Sequence, residues 1–330
     1  MKAQVLYDIG DIRYEEIERP HLKEGWVLVK VMAAGVCGSD IPRIYKTGAH
    51  VHPIVTGHEF SGQVMDDNSL WSGKRVGIFP LIPCGECPNC KKKMYEMCSN
   101  YNYLGSRCNG GFAEYVAVPE WNLIELPENV SYKQAAMMEP MAVAVHAMRR
   151  FHIEKNTSVC VIGLGTIGLL LTMFLKAEGI QNVYVQGNKD MQKHFAQKLG
   201  IDEKHYNADD VQADYVFECV GRNETVNRAI EIAAPAGNIV LVGNPYSQMN
   251  IPKDTYWKIL RKQLKLSGTW NSSYTGELGD DWHYVLNMLT NGRINPEQFI
   301  THEYSLDAIQ TGMEIMRDKS EDYVKVMCIS

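Results

Sequence analysis

The chain of 330 residues has no excess of positive charge, because 33 Lys and Arg stand against 39 Asp and Glu and the net charge is −6. It also has no arginine-rich arm, and its only dense basic stretch is Lys91–Lys93. Nucleic-acid-binding domains usually carry a basic patch or stripe. We therefore expect no nucleic acid among the partners and interpret the three lysines as a solvated surface.

Long apolar runs are also missing. The first residues, MKAQVLYDIGDIRYEE, are interrupted by charges, so no signal peptide is visible. The longest apolar run, VCVIGLGTIGLLLTMFL, contains three glycines and falls short of the about 18 apolar residues expected of a membrane helix. Nine cysteines without a secretion signal favour metal binding or buried thiols over disulfides. These features predict a cytoplasmic protein with no membrane partner.

The pattern of the chain changes near residue 135, which indicates two domains. Before it, β-branched and apolar runs separated by Gly and Pro are typical of strands. After it, strands and helices alternate as in a parallel, doubly wound α/β sheet. We predict a β-rich domain over residues 1–144, an α/β domain over residues 145–290, and a C-terminal segment, residues 291–330, that returns to the first domain.

A glycine motif opens the α/β domain. The stretch VCVIGLGTIGLLL has the G-x-G-x-x-G pattern between a β-branched strand and an apolar helix. In this context the turn approaches a pyrophosphate, which lies against the helix N-terminus. The pattern predicts a nicotinamide cofactor. The expected binding residues are Gly163, Gly165, Thr166, Ile167 and Gly168, with Val242 and Gly243 after a later strand.

The acidic residue expected about 20 positions after this motif is absent. Gly187 lies there, 19 positions after Gly168, and is followed by Asn188 and Lys189. A carboxylate would bind the ribose 2′-hydroxyl of NAD and repel the 2′-phosphate of NADP, whereas Asn188 and Lys189 can bind that phosphate. We predict that NADP(H) is preferred; NAD(H) is the alternative, if the contact is merely lost. Asp190 is expected to cap the next helix.

Four cysteines lie close together in PCGECPNCKKKMYEMC, with the spacing C-x2-C-x2-C-x7-C. Four thiolates can close the tetrahedral shell of a zinc ion, and a closed shell is structural because it leaves no place for substrate. An iron–sulfur cluster or a redox pair is the rival interpretation, but the last spacing and the absence of a following Pro do not fit the bacterial cluster motif. The predicted ligands are Cys84, Cys87, Cys90 and Cys98.

Cys37, His58 and Glu139 are candidates for a second metal site. Individually each has an ordinary interpretation, as a buried thiol, a core histidine and a helix-capping acid. One Cys, one His and one carboxylate can also form an open zinc site with a free position for water or substrate. Their spacing in the sequence does not show that they converge.

The order of GVCGSD, GHEFSG, the cysteine lobe, GGFAEYVAVP, EPMAVAVHA and VIGLGTIG resembles the zinc-dependent medium-chain dehydrogenases over nearly the whole chain. The resemblance implies a GroES-like catalytic domain, a Rossmann domain and an active site in the cleft between them. It implies that Cys37, His58 and Glu139 bind a catalytic zinc, with Glu59 as an alternative ligand. It also implies that Ser39 begins a proton relay and that the four cysteines bind a second, structural zinc.

Within this family the chain resembles the polyol branch, and CGSDIPRIYKTGAH and ILRKQLKLSGTWNSS resemble enzymes of sugar alcohol phosphates. We therefore expect hydride transfer between a secondary alcohol of such a phosphate and the cofactor. The alternatives are an unphosphorylated polyol or threonine as substrate, or a non-catalytic, zinc-stabilised NADP-binding protein. The chain is expected to form a homodimer or homotetramer. Candidate cations for the phosphate are Arg43 first, and then His50, Lys46 and Arg107.

Overall fold

The computed structural model describes residues 1–66, 69–245 and 247–330. The chain forms two compact units. Unit 1 contains residues 1–139 and 273–330, and unit 2 contains residues 140–272. The chain thus leaves unit 1, builds unit 2 and returns to complete unit 1.

The strands are β1 (Lys2–Asp8), β2 (Asp11–Glu16), β3 (Trp26–Val36), β4 (Ile54–Val55), β5 (Glu59–Val64), β6 (Arg75–Ile78), β7 (Leu81–Ile82), β8 (Asn102–Tyr103), β9 (Tyr115–Pro119), β10 (Leu123–Glu125), β11 (Ser158–Ile162), β12 (Asn182–Gln186), β13 (Ala213–Glu218), β14 (Ala233–Leu241), β15 (Lys265–Gly268), β16 (Ile300–Tyr304) and β17 (Lys325–Ile329).

The helices are α1 (Asp40–Pro42), α2 (Pro88–Lys91), α3 (Tyr132–Ala136), α4 (Met138–Met148), α5 (Thr166–Ala177), α6 (Asp190–Lys198), α7 (Asn223–Ile232), α8 (Lys253–Lys262), α9 (Asp281–Thr290) and α10 (Ile309–Asp318). A π-helical turn, Arg43–Thr47, continues α1. None of the helices in the described ranges is both long and apolar enough to cross a membrane.

Unit 1 is built on a mostly antiparallel sheet with the strand order β10-β6-β5-β3-β17-β16, and β9 also pairs with β3. Apolar and partly exposed residues alternate along the first part of β3, so Val27, Val29 and Val31 point into the core as the two-residue period requires. β17, near the C-terminus, pairs antiparallel with β3, and this pairing ties the returning segment into the sheet. The ends of β3, β5 and β17 therefore lie side by side.

Unit 2 has a parallel sheet with the order β12-β11-β13-β14-β15. Its central strand β11, SVCVI, is an almost continuous buried apolar run, as is typical of sheets covered by helices on both faces. α5 follows β11 and buries Leu169, Leu170, Leu171 and Phe174. After β12 the chain crosses back over β11, so that β13 is added on the other side of β11. Ligands of such sheets bind at the carboxyl ends of the strands, near the point where the strand order changes. The predicted α/β class, with a β-rich domain beside a doubly wound domain, is confirmed.

Candidate metal centre and cofactor site

Cys37, His58 and Glu59 meet where two paired strands of unit 1 end and begin. Cys37 follows the last residue of β3, and His58 comes directly before β5, whose first residue, Glu59, pairs with Gly35. One ligand atom from each of the three side chains lies within 4.8 Å of the other two. His58 and Glu59 are buried, and Cys37 is partly exposed. The fold thus brings together residues that the sequence separates by 21 positions.

Glu139 is buried in the first turn of α4 but does not belong to this group of mutually close atoms. It accepts a hydrogen bond of 3.2 Å from the hydroxyl of Tyr103, whose own pKa burial and Glu139 raise well above its ordinary value. Burial raises the pKa of Glu139 to about 7, against the lowering effect of His58. The carboxylate grouped with Cys37 and His58 is therefore Glu59, the alternative ligand, and the choice between the two stays a prediction.

Lys325 holds Glu59. Its ammonium group, in β17, donates to Glu59 Oε2 and, at 3.1 Å, to the carbonyl oxygen of Val36. Both members of this ion pair are almost completely buried. Burial lowers the pKa of Lys325, but Glu59 and Cys37 outweigh this and keep it above its ordinary value, so the lysine is charged. Gly35 leaves the space for the pair, because a Cβ there would overlap the Glu59 carboxylate.

Asp40 organises the other side of the centre. Its fully buried carboxylate accepts the backbone N–H of Cys37 at 3.0 Å and Nη1 of Arg43 at 2.6 Å. His58 Nδ1 lies 3.2 Å from Asp40 Oδ1 and has no aligned hydrogen-bond partner among the residues that the structure describes. Burial lowers the pKa of His58, but Asp40 and Cys37 raise it well above its ordinary value. A carboxylate beside one ring nitrogen typically orients a histidine whose other nitrogen binds metal.

The donor set fits zinc, which binds thiolate, imidazole and carboxylate. In the forms that bind metal, with the Cys37 thiol and the Glu139 carboxyl ionised and His58 neutral, the centre has four negative groups and two positive ones, Arg43 and Lys325. The negative groups are Cys37, Asp40, Glu59 and Glu139, so two charges are left for a divalent cation to balance. Ser39 lies beside them, with its hydroxyl 3.3 Å from Cys37 Sγ.

The four cysteines of the predicted structural site converge in unit 1. Their sulfur atoms lie within 4.8 Å of one another, and neighbouring pairs are 3.5 to 4.0 Å apart. Cys87 caps the short helix α2, where its sulfur accepts the N–H of Cys90. Backbone N–H groups of Cys90 and Ser99 lower the pKa of Cys87 to about 5, which favours the thiolate form that binds metal. Four converging sulfurs fit a closed tetrahedral zinc site.

The glycine turn lies between β11 and α5 in unit 2. A Cβ on Gly168 would strike the carbonyl oxygen of Gly163, which itself has a φ of 91°, so close packing requires both glycines. Around Gly165, by contrast, a Cβ would meet nothing within 4 Å, and this is the open face that a pyrophosphate can approach. Thr166 and Ile167 begin α5.

Val242 and Gly243 follow β14, and their N–H groups donate to the carbonyl oxygen of Glu218 at 2.8 and 2.9 Å. The side chain of Glu218 accepts N–H groups of the next turn, from Val220 and Gly221, and is buried. Glu218 thus holds in place both the loop that follows β13 and the loop that follows β14. The sequence analysis missed this residue, although an acid at the end of an apolar strand was a visible signal.

Gly187 lies directly after β12, beside the glycine turn. Asn207 pairs with both backbone groups of Gly187, at 2.9 Å to the N–H and 2.8 Å to the carbonyl oxygen. Asn188 follows, and Lys189 is the N-cap of α6, which begins at Asp190. The expectation that Asp190 caps this helix is therefore wrong, because Asp190 is its first helical residue.

Arg107 and Arg43 both lie near enough to His50 to affect its pKa. Burial lowers the pKa of His50, and the positive charges of Arg107 and Arg43 lower it further. Arg107 lies over the ring of Tyr101, 4.6 Å from its centre. Arg43 already has a partner in Asp40, and its side chain is only 19% exposed. Lys46 lies in the last turn of Arg43–Thr47.

Comparison with known proteins identifies the class. Residues 23–128 match the family model of the alcohol dehydrogenase GroES-like domain, and residues 166–291 match that of the zinc-binding dehydrogenases. The chain therefore belongs to the zinc-binding alcohol dehydrogenase family, as its motif order predicted, and it is an enzyme of the alcohol and polyol dehydrogenase type.

The relatives it resembles include polyol phosphate enzymes. It is 34% identical to galactitol 1-phosphate 5-dehydrogenase of Escherichia coli K12 over 93% of this chain and 94% of that protein. It is 30% identical to D-arabitol-phosphate dehydrogenase of Enterococcus avium, over 94% and 92% of the two chains. The crystal structure of the Escherichia coli galactitol-1-phosphate dehydrogenase superposes with a TM-score of 0.90 at 33% identity and full coverage of both chains.

Two further solved structures contain nicotinamide cofactors. A zinc-binding dehydrogenase of Sinorhizobium meliloti bound to NADP has a TM-score of 0.89 at 26% identity and covers 100% of this chain and 99% of its own. A short chain alcohol dehydrogenase of Escherichia coli CFT073 with NADH has a TM-score of 0.90 at 27% identity, with the same coverage. Structural relatives of this chain thus bind either cofactor.

Proposed function

We propose that this enzyme transfers hydride between a secondary alcohol of a sugar alcohol phosphate and NADP(H). The observation that carries the proposal is the buried group of Cys37, His58 and Glu59 with Glu139 and Ser39 beside it. An open centre of this kind serves catalysis, whereas the cysteine lobe is closed. We expect two zinc ions per chain, one at each site.

The residues divide the chemistry between them. Cys37 and His58, with Glu59 or Glu139, would hold the catalytic zinc, which as a Lewis acid makes an alcohol bound to it more acidic. The hydroxyl of Ser39, which lies 3.3 Å from Cys37 Sγ, would take the proton that the alcohol loses. The glycine turn of unit 2, with Gly163, Gly165 and Gly168, would hold the nicotinamide cofactor, which would supply the redox chemistry, while the protein would supply orientation.

A phosphorylated substrate is supported by two observations. Burial and the positive charges of Arg107 and Arg43 lower the pKa of His50, so these cations lie near one another in an acidic chain. Two relatives named above act, by their names, on polyol phosphates. Because Arg43 is bound to Asp40, we now place Arg107 first among the candidate phosphate ligands, ahead of His50 and Lys46. An unphosphorylated polyol is the second candidate, since the chain is also 27% identical to a Bacillus subtilis sorbitol dehydrogenase.

The deciding experiment is a substrate panel. Galactitol 1-phosphate, arabitol phosphate, galactitol, sorbitol and threonine are each assayed for cofactor reduction with NADP and with NAD, after the zinc content of the preparation is measured. We expect the highest kcat/KM for a polyol phosphate with NADP. Equal or higher activity on the free polyol would contradict the phosphate proposal, and one zinc per chain would contradict the second metal site.

We also propose that unit 2 carries a twofold interface of the expected homodimer or homotetramer. β15 is an edge strand, and α8 and the segment after β15 expose Trp257, Leu260 and Trp270, which are 46%, 50% and 53% exposed. An unpaired edge flanked by exposed apolar groups is an aggregation hazard unless another chain covers it. Two copies can pair such an edge antiparallel about a twofold axis. Sedimentation of Leu260→Glu should show dissociation if this edge is the interface, and an unchanged dimer would refute it.

A further inference from the structure

The space at Gly187 is filled by other polar groups. A Cβ on this residue would lie 2.7 Å from Gln192 Oε1, 2.9 Å from the hydroxyl oxygen of Tyr206 and 3.3 Å from Leu164 Cδ1. In a dinucleotide-binding domain, this is where the acidic side chain that binds the adenosine ribose begins. The chain has therefore not left the region empty; it has placed an amide and a hydroxyl there.

The strand pairing agrees with Gly187 being the position of the ribose-binding acid. β12 lies parallel to β11 in the sheet, with Ile162 opposite Gln186. The N–H of Gly163, the first glycine of the turn, donates to the carbonyl oxygen of Gln186 at 2.8 Å. Gly187 directly follows this hydrogen-bonded residue, so it lies beside the pyrophosphate-binding turn at the carboxyl end of the sheet.

The side chain of Gln192 occupies the space of the missing one. Gln192 Oε1 stands 2.7 Å from the Cβ position of residue 187, which is closer than a non-bonded oxygen approaches a real Cβ. A side chain at residue 187 and the present position of the Gln192 amide therefore exclude one another. The oxygen that lies there belongs to an uncharged amide five residues further along the chain.

Gln192 is also held in place. Its Oε1 accepts the N–H of Asn188 at 3.0 Å, and Asn207 fixes Gly187 on the other side. The hydroxyl of Tyr206 donates to the carbonyl oxygen of Lys189 at 3.4 Å, which keeps it beside the same turn. The amide, the hydroxyl and the backbone of residues 187–189 form one hydrogen-bonded cluster.

We propose that Gln192 takes the place of the missing carboxylate and sets cofactor selectivity at the adenosine ribose. Its amide has an oxygen that can accept a 2′-hydroxyl and an NH2 group that can donate to a 2′-phosphate, and it carries no charge that would repel that phosphate. The Tyr206 hydroxyl is a second neutral group at the same point. The proposal deepens the proposed NADP(H) preference and rests on it for its direction.

A purely structural role makes a different prediction. Gln192 occupies the third position of α6, where a Gln or Glu commonly reaches back to cap the helix N-terminus. Glutamate would cap equally well and would interact favourably with the helix dipole. If capping were the whole role, Gln192→Glu would leave cofactor selectivity unchanged.

The test is Gln192→Glu in the full-length, zinc-loaded enzyme. Dissociation constants of NADPH and NADH are measured by fluorescence titration, with thermal denaturation as a check of the fold. Because the new carboxylate would face the 2′-phosphate, we expect the NADPH-to-NADH affinity ratio to fall at least about tenfold, mostly through weaker NADPH binding. Gln197→Glu, an exposed glutamine on the same helix, adds the same charge as a matched control and should leave the ratio within about twofold.

The NADP(H) preference and the role of Gln192 can be refuted independently of each other. If the parent enzyme prefers NADH, the NADP(H) preference is wrong, but Gln192→Glu must still lower the NADPH-to-NADH ratio tenfold relative to the parent. If the NADPH-to-NADH affinity ratio of folded Gln192→Glu changes no more than that of the control Gln197→Glu, Gln192 is a helix cap only and the inference is overturned. If Gln192→Glu does not fold, Gln192→Met removes the polar atoms without adding charge. In that variant an unchanged affinity for both cofactors would overturn the inference, and weaker binding of either would support it.

Discussion

Lys325→Met tests the buried ion pair of the metal centre. The substitution keeps most of the length of the side chain and removes the ammonium group that binds Glu59 Oε2 and the Val36 carbonyl oxygen. Glu59 would then be a carboxylate with 1% of its side chain exposed and without the lysine that pairs with it. Leaving one member of a buried pair without its partner typically costs about 3–5 kcal/mol. We expect a loss of this size in the free energy of unfolding of the metal-free protein.

The loss should be smaller when zinc is bound. The Glu59 carboxylate lies within 4.8 Å of the donor atoms of Cys37 and His58, so a metal held there can replace the charge of Lys325. Thermal denaturation with and without zinc measures both values; a domain of this size shifts by roughly 2–4 °C per kcal/mol. A cobalt-substituted sample adds a second readout, because its visible spectrum should change if Glu59 moves onto the metal.

The control variants isolate the pair. Lys325→Met with Glu59→Gln removes both charges and should recover most of the lost stability, since replacing both members of a buried pair is often nearly neutral. Lys30→Met, at a half-buried lysine of the adjacent strand β3, should have little effect. A metal-free Lys325→Met protein within about 1 kcal/mol of the parent, with no recovery in the double variant, would show that the pair does not hold Glu59.

Three other outcomes are expected. Cys37→Ser should abolish turnover and lose one zinc with little change in stability, whereas Cys90→Ser should lower stability, because a closed site contributes folding energy directly; normal turnover of zinc-verified Cys37→Ser would contradict this. Burial raises the pKa of Glu139 from 4.5 to about 7, so in that window the folded carboxyl holds a proton that the unfolded chain has released, and the metal-free protein should lose stability as the pH rises through it. Glu139→Gln should remove this part of the pH dependence in thermal denaturation at pH 5 and 8, and parallel profiles of the two proteins would contradict the assignment. Arg107→Ala should lower kcat/KM for polyol phosphates about tenfold or more and leave free polyols unaffected, since a charge-assisted contact is worth about 1.5–3 kcal/mol; equal losses on both substrates would remove Arg107 from the phosphate site.

The fold could be predicted because its signals are local. The G-x-G-x-x-G turn, the apolar strand before it and the leucine-rich helix after it lie within one short stretch, and the structure has that strand as β11 and that helix as α5. The cysteine lobe is local in the same sense, because Cys84 and Cys98 are only 14 residues apart. Spacing therefore determines which atoms can meet, and the structure brings these atoms together.

The division of roles in the open centre could not be predicted from spacing. Lys325 is 266 residues from Glu59 and reaches it only because β17 returns to pair with β3. Asp40 sits in GVCGSD without any sign in the sequence that its carboxylate would be fully buried beside His58. One signal was available for Lys325, a single lysine at the start of the apolar run VMCI, but a lysine near a chain end is usually solvated.

The ribose position shows why an absent residue is a weak basis for inference. From the sequence, Gly187 means that the side chain is missing, and the neighbouring Asn188 and Lys189 are the natural substitutes. In the folded chain the residue that fills the space is Gln192, because its side chain reaches back from the first turn of α6 to accept the N–H of Asn188. What a binding site lacks at one position can be supplied by a side chain that reaches back from the next helix. Selectivity at this site therefore has to be assigned to atoms in space, and the atom closest to the vacant Cβ position is an amide oxygen, which carries no charge.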